Sequence, residues 1–251
     1  MRPLSDRNEP IRLGCVDVPA RVERERYFRE LSYLELSALF AGPQKPSVLA
    51  KWADVAPEGA IGLVAPFSLT HRKAPAGTKL WPHDATTGDF RDSPSAREAI
   101  AALQAAVTQL RASSVVFRSA ESFSPSAANR EVLKRFFGEI ATFDIQRVWV
   151  PGGLWNVRTA VKLAGELGVT CAIDPMVREP GEPPEIHYDL EADSLYFRVE
   201  GVGRSGSIRS EKLDELADLV MSYEDRELTV VFASPERWAD ARNFKKLLDV
   251  D

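Results

Sequence analysis

The sequence predicts a single α/β domain, a (β/α)8 barrel, on three observations. Eight short apolar runs alternate with longer stretches of helical periodicity. They come at roughly 31 residues per unit over the 251-residue chain, the size of a βαβ repeat. The first run lacks the glycine-rich phosphate turn of a doubly wound open sheet, which leaves the closed barrel ahead.

The elements follow in order. Ile11 to Val18 reads as the first strand, stopped by Pro19, and Arg21 to Leu31 as a charged surface helix with apolar residues at Val22, Phe28 and Leu31. Tyr33 to Ala38 is the second strand. Pro46 to Val55 is a short helix, and Ala60 to Ala65 the third strand. Positions 66–94 break the rhythm with a long loop rich in Pro, Thr, Gly and charge, a length usually found in lids or functional loops. Ser95 with Glu98 reads as a capping box, opening a helix with Ile100, Leu103, Val107 and Leu110 on its apolar face. Ser114 to Phe117 is the fourth strand, and Ser126 to Thr142 the next helix. Arg147 to Val150 is the fifth strand. Trp155 to Leu167 is a helix that Gly168 closes.

Val169 to Ile173 is the sixth strand. The acidic, proline-rich stretch 174–193 predicts a loop, with the helix of that unit missing or irregular. Leu195 to Val199, helix Glu211 to Tyr223, and Leu228 to Ala233 complete the strands. Ser234 and Pro235 stand as N-cap and first-turn proline of the last helix.

Composition narrows the function classes. A chain that is 44% hydrophobic with five Trp is not mainly disordered. Cys15 and Cys171 are too far apart in sequence for a CxxC metal or redox pair and read as core residues of strands 1 and 6. The start has no apolar signal-peptide core and no run is long enough to span a bilayer, so a cytoplasmic protein without membrane attachment is expected. A net charge of −5 argues against strong non-specific nucleic-acid binding.

Barrel sites lie at the C-terminal ends of the strands. The polar residues there are Asp17, Glu35, Ser37, Arg118, Ser119, Asp174, Arg198, Glu200 and Arg204, with His71 on the long loop. Glu35, Asp174 and His71 are the candidate acid–base groups. Arg198, Arg204, Arg118 and Asp17 are the candidate ligand or phosphate contacts. The plainer alternative pairs Asp17 and Glu35 with Arg198 or Arg118 as structural ions. The glycine-rich turn Gly201 to Ser207, with Arg204 inside it, fits either a phosphate cradle or a flexible turn. Trp81, His83 and Phe90, with Arg72, Lys73 and Lys79, suit base or sugar stacking, or simply packing of the loop onto the barrel. No metal set is expected, because His71, His83 and Asp84 lack metal-ligand spacing. No Gly-x-Ser-x-Gly elbow is present, and no cofactor is expected.

The runs YFRELSYLELSALFAGP, Trp52 and GLVAPFSLTH, continuing in order to FASPERWADARNFKKLL, resemble the YecE-like family, bacterial TIM barrels of unknown function. Gly14 to Val18 stands where that family has Gly-Thr-Ser-Gly-Trp. Leu34 to Ala38 stands for Val-Glu-x-Asn-Ser, and Pro66, Thr70 and His71 match Lys-x-Pro…Thr-His, with Val64 in place of the lysine. Trp149 to Trp155 keeps only the last residue of Glu-x-Arg-His-x-Ser-Trp. Arg198 to Gly201 keeps Arg and Gly but not His, and Phe232 to Ser234 replaces Phe-Asn-Asn.

The resemblance implies a barrel whose ancestral pocket residues are largely replaced. Two functions follow. One is a ligand- or partner-binding barrel with a degenerate catalytic pocket, its partner an unknown small molecule or protein. The other is a hydrolase or lyase acting on a phosphate-bearing sugar or nucleic acid through Glu35, Asp174 and His71. Trp149, Trp155 or Phe67 filling the barrel mouth would speak against the enzyme.

Overall fold

The computed structural model describes residues 11–76, 81–177, 193–201, 206–223 and 226–249. Eight strands close into one parallel barrel in chain order: β1 (Ile11–Val16), β2 (Tyr33–Leu36), β3 (Ile61–Val64), β4 (Ser114–Arg118), β5 (Gln146–Val150), β6 (Thr170–Ile173), β7 (Ser194–Val199) and β8 (Glu227–Phe232). This is the predicted (β/α)8 architecture. The stretch 178–192, where an irregular loop is expected, lies outside the described residues, as do Lys79 and Arg204. Among the described residues, no helix is long and apolar enough to cross a membrane.

Two compact units make up the chain: Met1–Leu34 with Ala172–Asp251, and Glu35–Cys171. Their borders fall inside β2 and β6.

In the first unit, alternation sorts each strand into two faces. Phe197 lies against Tyr223, just past helix α8 (Ser210–Met221). Phe232 lies against Phe244 of helix α9 (Arg237–Leu248). These residues face the helices, so Tyr196, Arg198 and Val231, one position away, face the barrel interior. Tyr33 confirms the assignment: its ring meets that of Tyr196 edge-on at 6.2 Å.

The start of the barrel needs two special residues. A Cβ on Gly14 would sit 1.9 Å from the Tyr33 carbonyl oxygen, so only glycine fits there. Tyr27, on helix α1 (Arg24–Glu30), accepts the Cys15 backbone N–H and donates to the Tyr33 carbonyl, each at 2.7 Å. One buried hydroxyl thereby satisfies two backbone groups of adjacent strands.

In the second unit, Phe117 packs on Phe136 and Phe137, both at 5.4 Å, and so faces the helices. Arg118, the next residue, faces the interior. Helix α6 (Ala127–Arg135) runs on as a single π-helical turn, Phe136–Ile140, inside the predicted helix 126–142. Arg147 supports that turn by donating to the carbonyls of Phe137 and Ala141 at 2.7 and 3.2 Å.

The long loop after β3 opens with one helical turn, Phe67–Thr70, and returns through Gly88, Asp89 and Phe90, all with positive φ. A Cβ on Gly88 would lie 2.2 Å from the His71 carbonyl carbon. This tight return drives the Phe90 ring into a buried cluster with Phe123 and Phe136, both at 5.1 Å. Trp81 is also buried and donates its indole N–H to the Leu39 carbonyl. Trp81 and Phe90 therefore pack onto the barrel, whereas His83 is exposed.

Two helix starts differ from expectation. Helix α5 (Pro94–Leu110) is capped by Ser93, whose hydroxyl accepts the Ala96 N–H. Ser95 is buried against Ser93 instead. Pro94, with its preset φ and no N–H to satisfy, moves the start to the first turn's N1 position. In α9 the helix begins at Arg237, and Ser234 does not cap it. Its buried hydroxyl donates to the Asp240 carboxylate.

Candidate functional site

In the first unit, alternation brings Asp174 and Arg198 to the C-terminal ends of β6 and β7. Asp174 follows β6 directly, and both its oxygens are engaged: Oδ1 accepts the Met176 N–H and Oδ2 the Glu200 N–H, each at 2.9 Å. The carboxylate thus ties the end of β6 to the end of β7. Burial pushes its pKa up. The two backbone N–H groups oppose that shift, the charge of Glu200 adds to it and that of Arg198 reduces it.

Arg198 is 5% exposed and forms an ion pair with Glu200, whose side chain is 54% exposed. A buried guanidinium is thereby held by a carboxylate that still reaches solvent. Asp17 ends β1 in a left-handed turn, φ 52°, half-buried.

Asp240 belongs to the same end of this unit, and sequence reasoning passed over it. It is fully buried, accepting the Ser234 hydroxyl at 2.6 Å and the Ile208 N–H at 3.0 Å. It therefore couples the loop after β7 to the loop after β8. Burial raises its pKa, against the pull of both hydrogen bonds. No motif announces it, because a surface-like ADAR stretch hides one inward position of a helix.

In the second unit, Glu35 is fully buried in β2, and Arg118 is half-buried at the end of β4. His71 follows the turn after β3. Its Nδ1 shares a 2.7 Å hydrogen bond with the buried Thr70 hydroxyl. Burial, then the charge of Arg118, lowers the His71 pKa to about 4, opposed by Asp89. The imidazole is neutral at pH 7. Asp89 itself pairs with Arg72. His83 donates its Nε2–H to the Arg72 carbonyl, so that ring serves the loop's backbone.

Phe40, missed in the sequence, is the common neighbour of Arg118 and His71. Arg118 lies over its ring at 5.8 Å, and His71 meets its edge at 5.4 Å. The only available signal was its place in the run after strand 2.

Of the three aromatics that would have closed the mouth, Trp149 shares register and face with Phe117, toward the helices. Its N–H donates to Ser119, and its ring meets Trp155 at 5.0 Å. Trp155 donates to the Phe123 carbonyl. Phe67 alone lies beside candidate residues, against Phe40 at 6.4 Å.

Both cysteines are buried and outside any disulfide, and burial pushes each thiol up to about 12, so neither is a thiolate at neutral pH. Among the described residues, no three His, Cys, Asp or Glu side chains gather as a metal set.

No protein-family model matches the chain, and no curated protein does. Its fold is similar to those of solved DUF72 family proteins. One, from Enterococcus faecalis, is seen in two crystal structures at 15% identity. Their TM-scores are 0.71 and 0.73; the first covers 96% of both chains, the second 98% of this chain and 100% of that one. Another, from Thermotoga maritima, has a TM-score of 0.62 at 14% identity and covers 96% of this chain and 99% of its own. At such identities the likeness is one of fold.

Proposed function

We propose that the chain is a ligand-binding barrel, a divergent YecE-like relative in which an ancestral catalytic pocket has been replaced. Its ligand is a small molecule or a protein segment, and the candidate contacts are Arg198 and Asp17 in the first unit, Arg118 in the second, and Arg204, which lies outside the described residues. One observation carries this reading: the best-placed carboxylate, Asp174, has both oxygens on backbone N–H groups. Moving a proton there would break a tie between two strands. His71 points the same way, since an imidazole with a pKa near 4 is a weak base and is not an imidazolium acid at pH 7.

The enzyme reading keeps one observation in its favour, the upward shift of Asp174, which is the direction a general acid needs. Glu35, Asp174 and His71 would then be its acid–base groups.

The test is a thermal-shift panel of metals, sugar phosphates, nucleotides and short single-stranded DNA, because a ligand of the folded state alone raises Tm. The binding reading expects a compound whose stabilisation is lost in Arg198→Ala and weakened in Arg198→Lys. A panel with no stabilising compound for the wild type would sink it.

A further inference from the structure

The first unit contains a cavity of about 230 Å³ that the binding reading leaves without a role. It lies where β1 begins and where α1 and α9 end, away from the strand C-terminal ends, and all its lining residues belong to that unit. Strand alternation shapes its inner wall. The Cys15 thiol donates to the Arg237 carbonyl of α9 at 3.3 Å, so Ile11 and Leu13, on the same face of β1, also look toward the helices. Leu31 and Leu248, both buried, and the half-buried Phe28 complete an apolar pocket. The volume lies below the roughly 300–1,000 Å³ of pockets that hold drug-sized ligands, so its occupant is small.

The rim of this pocket is charged. Arg29 and Lys245 line it from the last turns of α1 and α9. The Lys245 ammonium gives one N–H to the Glu30 carbonyl at 2.9 Å and keeps two further donors. Arg29 is exposed, and its guanidinium forms no hydrogen bond or ion pair among the described residues. The Glu30 carboxylate is held by Arg26 and Arg242, and Asp249 is the other acid at the rim. Four cations therefore stand against two carboxylates. The C-terminal ends of the two helices subtract about half a charge each, which leaves an excess of about one positive charge.

We propose that this cavity binds a medium-chain aliphatic carboxylate. The hydrocarbon chain lies among Leu13, Phe28, Leu31 and Leu248, and the carboxylate takes the remaining donors of Lys245 and those of Arg29 at the rim. One excess positive charge suits a head that carries a single negative charge. Apolar walls reward each methylene withdrawn from water, so affinity follows chain length until the pocket is full. The site shares no residue with the candidate contacts at the strand C-terminal ends, and it stands apart from the binding reading.

The experiment titrates the full chain at pH 7 with acetate, butanoate, hexanoate and octanoate by calorimetry, with octanol and octylamine as neutral and cationic controls. Affinity is expected to rise by up to about fourfold per methylene from butanoate to octanoate. Octanoate binds at least about fivefold more tightly than octanol or octylamine. Arg29→Gln and Lys245→Gln each weaken octanoate by about fivefold or more and leave octanol unchanged. Ile11→Trp fills the pocket from the strand wall and abolishes the binding of octanoate and octanol together. Arg198→Ala leaves octanoate binding unchanged, which separates this site from the binding reading. Circular dichroism confirms that each variant is folded. No octanoate binding at millimolar concentration, equal affinity for acetate and octanoate, or equal affinity for octanoate and octylamine overturns the site. Unchanged affinity in folded Ile11→Trp does the same. Octanoate binding seen only in Leu4→Asp assigns the pocket to the chain's own residues 1–10, and binding seen only on dilution of a dimer assigns it to a second copy; either outcome overturns the proposal.

Discussion

At Asp240 one carboxylate holds two loops, and its chemistry gives a sharp contrast between two substitutions. Asp240→Asn keeps both partners: Oδ1 still accepts the Ile208 N–H, and the amide N–H donates to Ser234, whose hydroxyl turns to accept. It also removes a charge that burial disfavours. Its melting temperature is expected to equal or exceed that of the wild type at pH 7. Asp240→Ala leaves a buried N–H and a buried hydroxyl without partners and should cost about 2–4 kcal/mol in urea unfolding. His71 sets a pH dependence of opposite origin. Its folded pKa, about 4, lies below the unfolded value near 6.5. Between those values the unfolded chain takes up a proton that the folded one does not, so stability falls as pH drops from about 6.5 toward 4. The loss is at most about 3 kcal/mol. Denaturant midpoints across that range should fall less steeply in His71→Gln, and an identical slope in that variant would refute the assignment.

At the scale of elements, the long loop after β3 acts as a plug for the outer aromatic layer of the second unit. Phe90 fills a cluster with Phe123 and Phe136, and Gly88 makes the turn that puts it there. Phe90→Ala is expected to cost about 3–5 kcal/mol, within the range for a large buried ring. Gly88→Ala combines a φ of +81° with a clash against backbone and should destabilise by at least about 2 kcal/mol. Chemical denaturation measures both, and a neutral Gly88→Ala would mean that the loop returns by another path.

The same element shows what was legible in the sequence. All eight strands were, because a buried strand needs a short apolar run bounded by breakers, and that pattern is local. Their bounds shift by at most two residues. The docking of Phe90 was not legible, since it depends on contacts with α6 and its π turn, far along the chain. The helix starts at Ser93 and Glu236 were missed because a Ser near a helix start can cap it or serve another partner, as Ser234 serves Asp240. For the candidate site, the strand positions of Arg118 and Arg198, near strand C-terminal ends, were legible. Strand position could not foresee that Asp174 would be tied to backbone, or that Phe40 would join His71 and Arg118, because a ring's neighbours carry no local signature.

At the scale of the molecule, closed parallel barrels in general carry their sites at the strand C-terminal ends, and charge in this chain is distributed unevenly along the sequence. Much of the acidic excess behind the net charge of −5 lies in the sequence 174–193, whereas the loop after β3 is locally basic. Net charge therefore speaks to non-specific association and not to what a site at those ends selects. The account turns on binding without turnover, with Asp174 as a strand tie. The most direct measurement incubates the wild-type chain with each compound that raises its melting temperature and follows the compound by mass spectrometry. The account predicts that the compound is recovered unchanged after many hours, and that Asp174→Asn lowers stability without altering that outcome. Steady conversion by the wild type, abolished in folded Asp174→Asn, would contradict it and make Asp174 an acid–base catalyst.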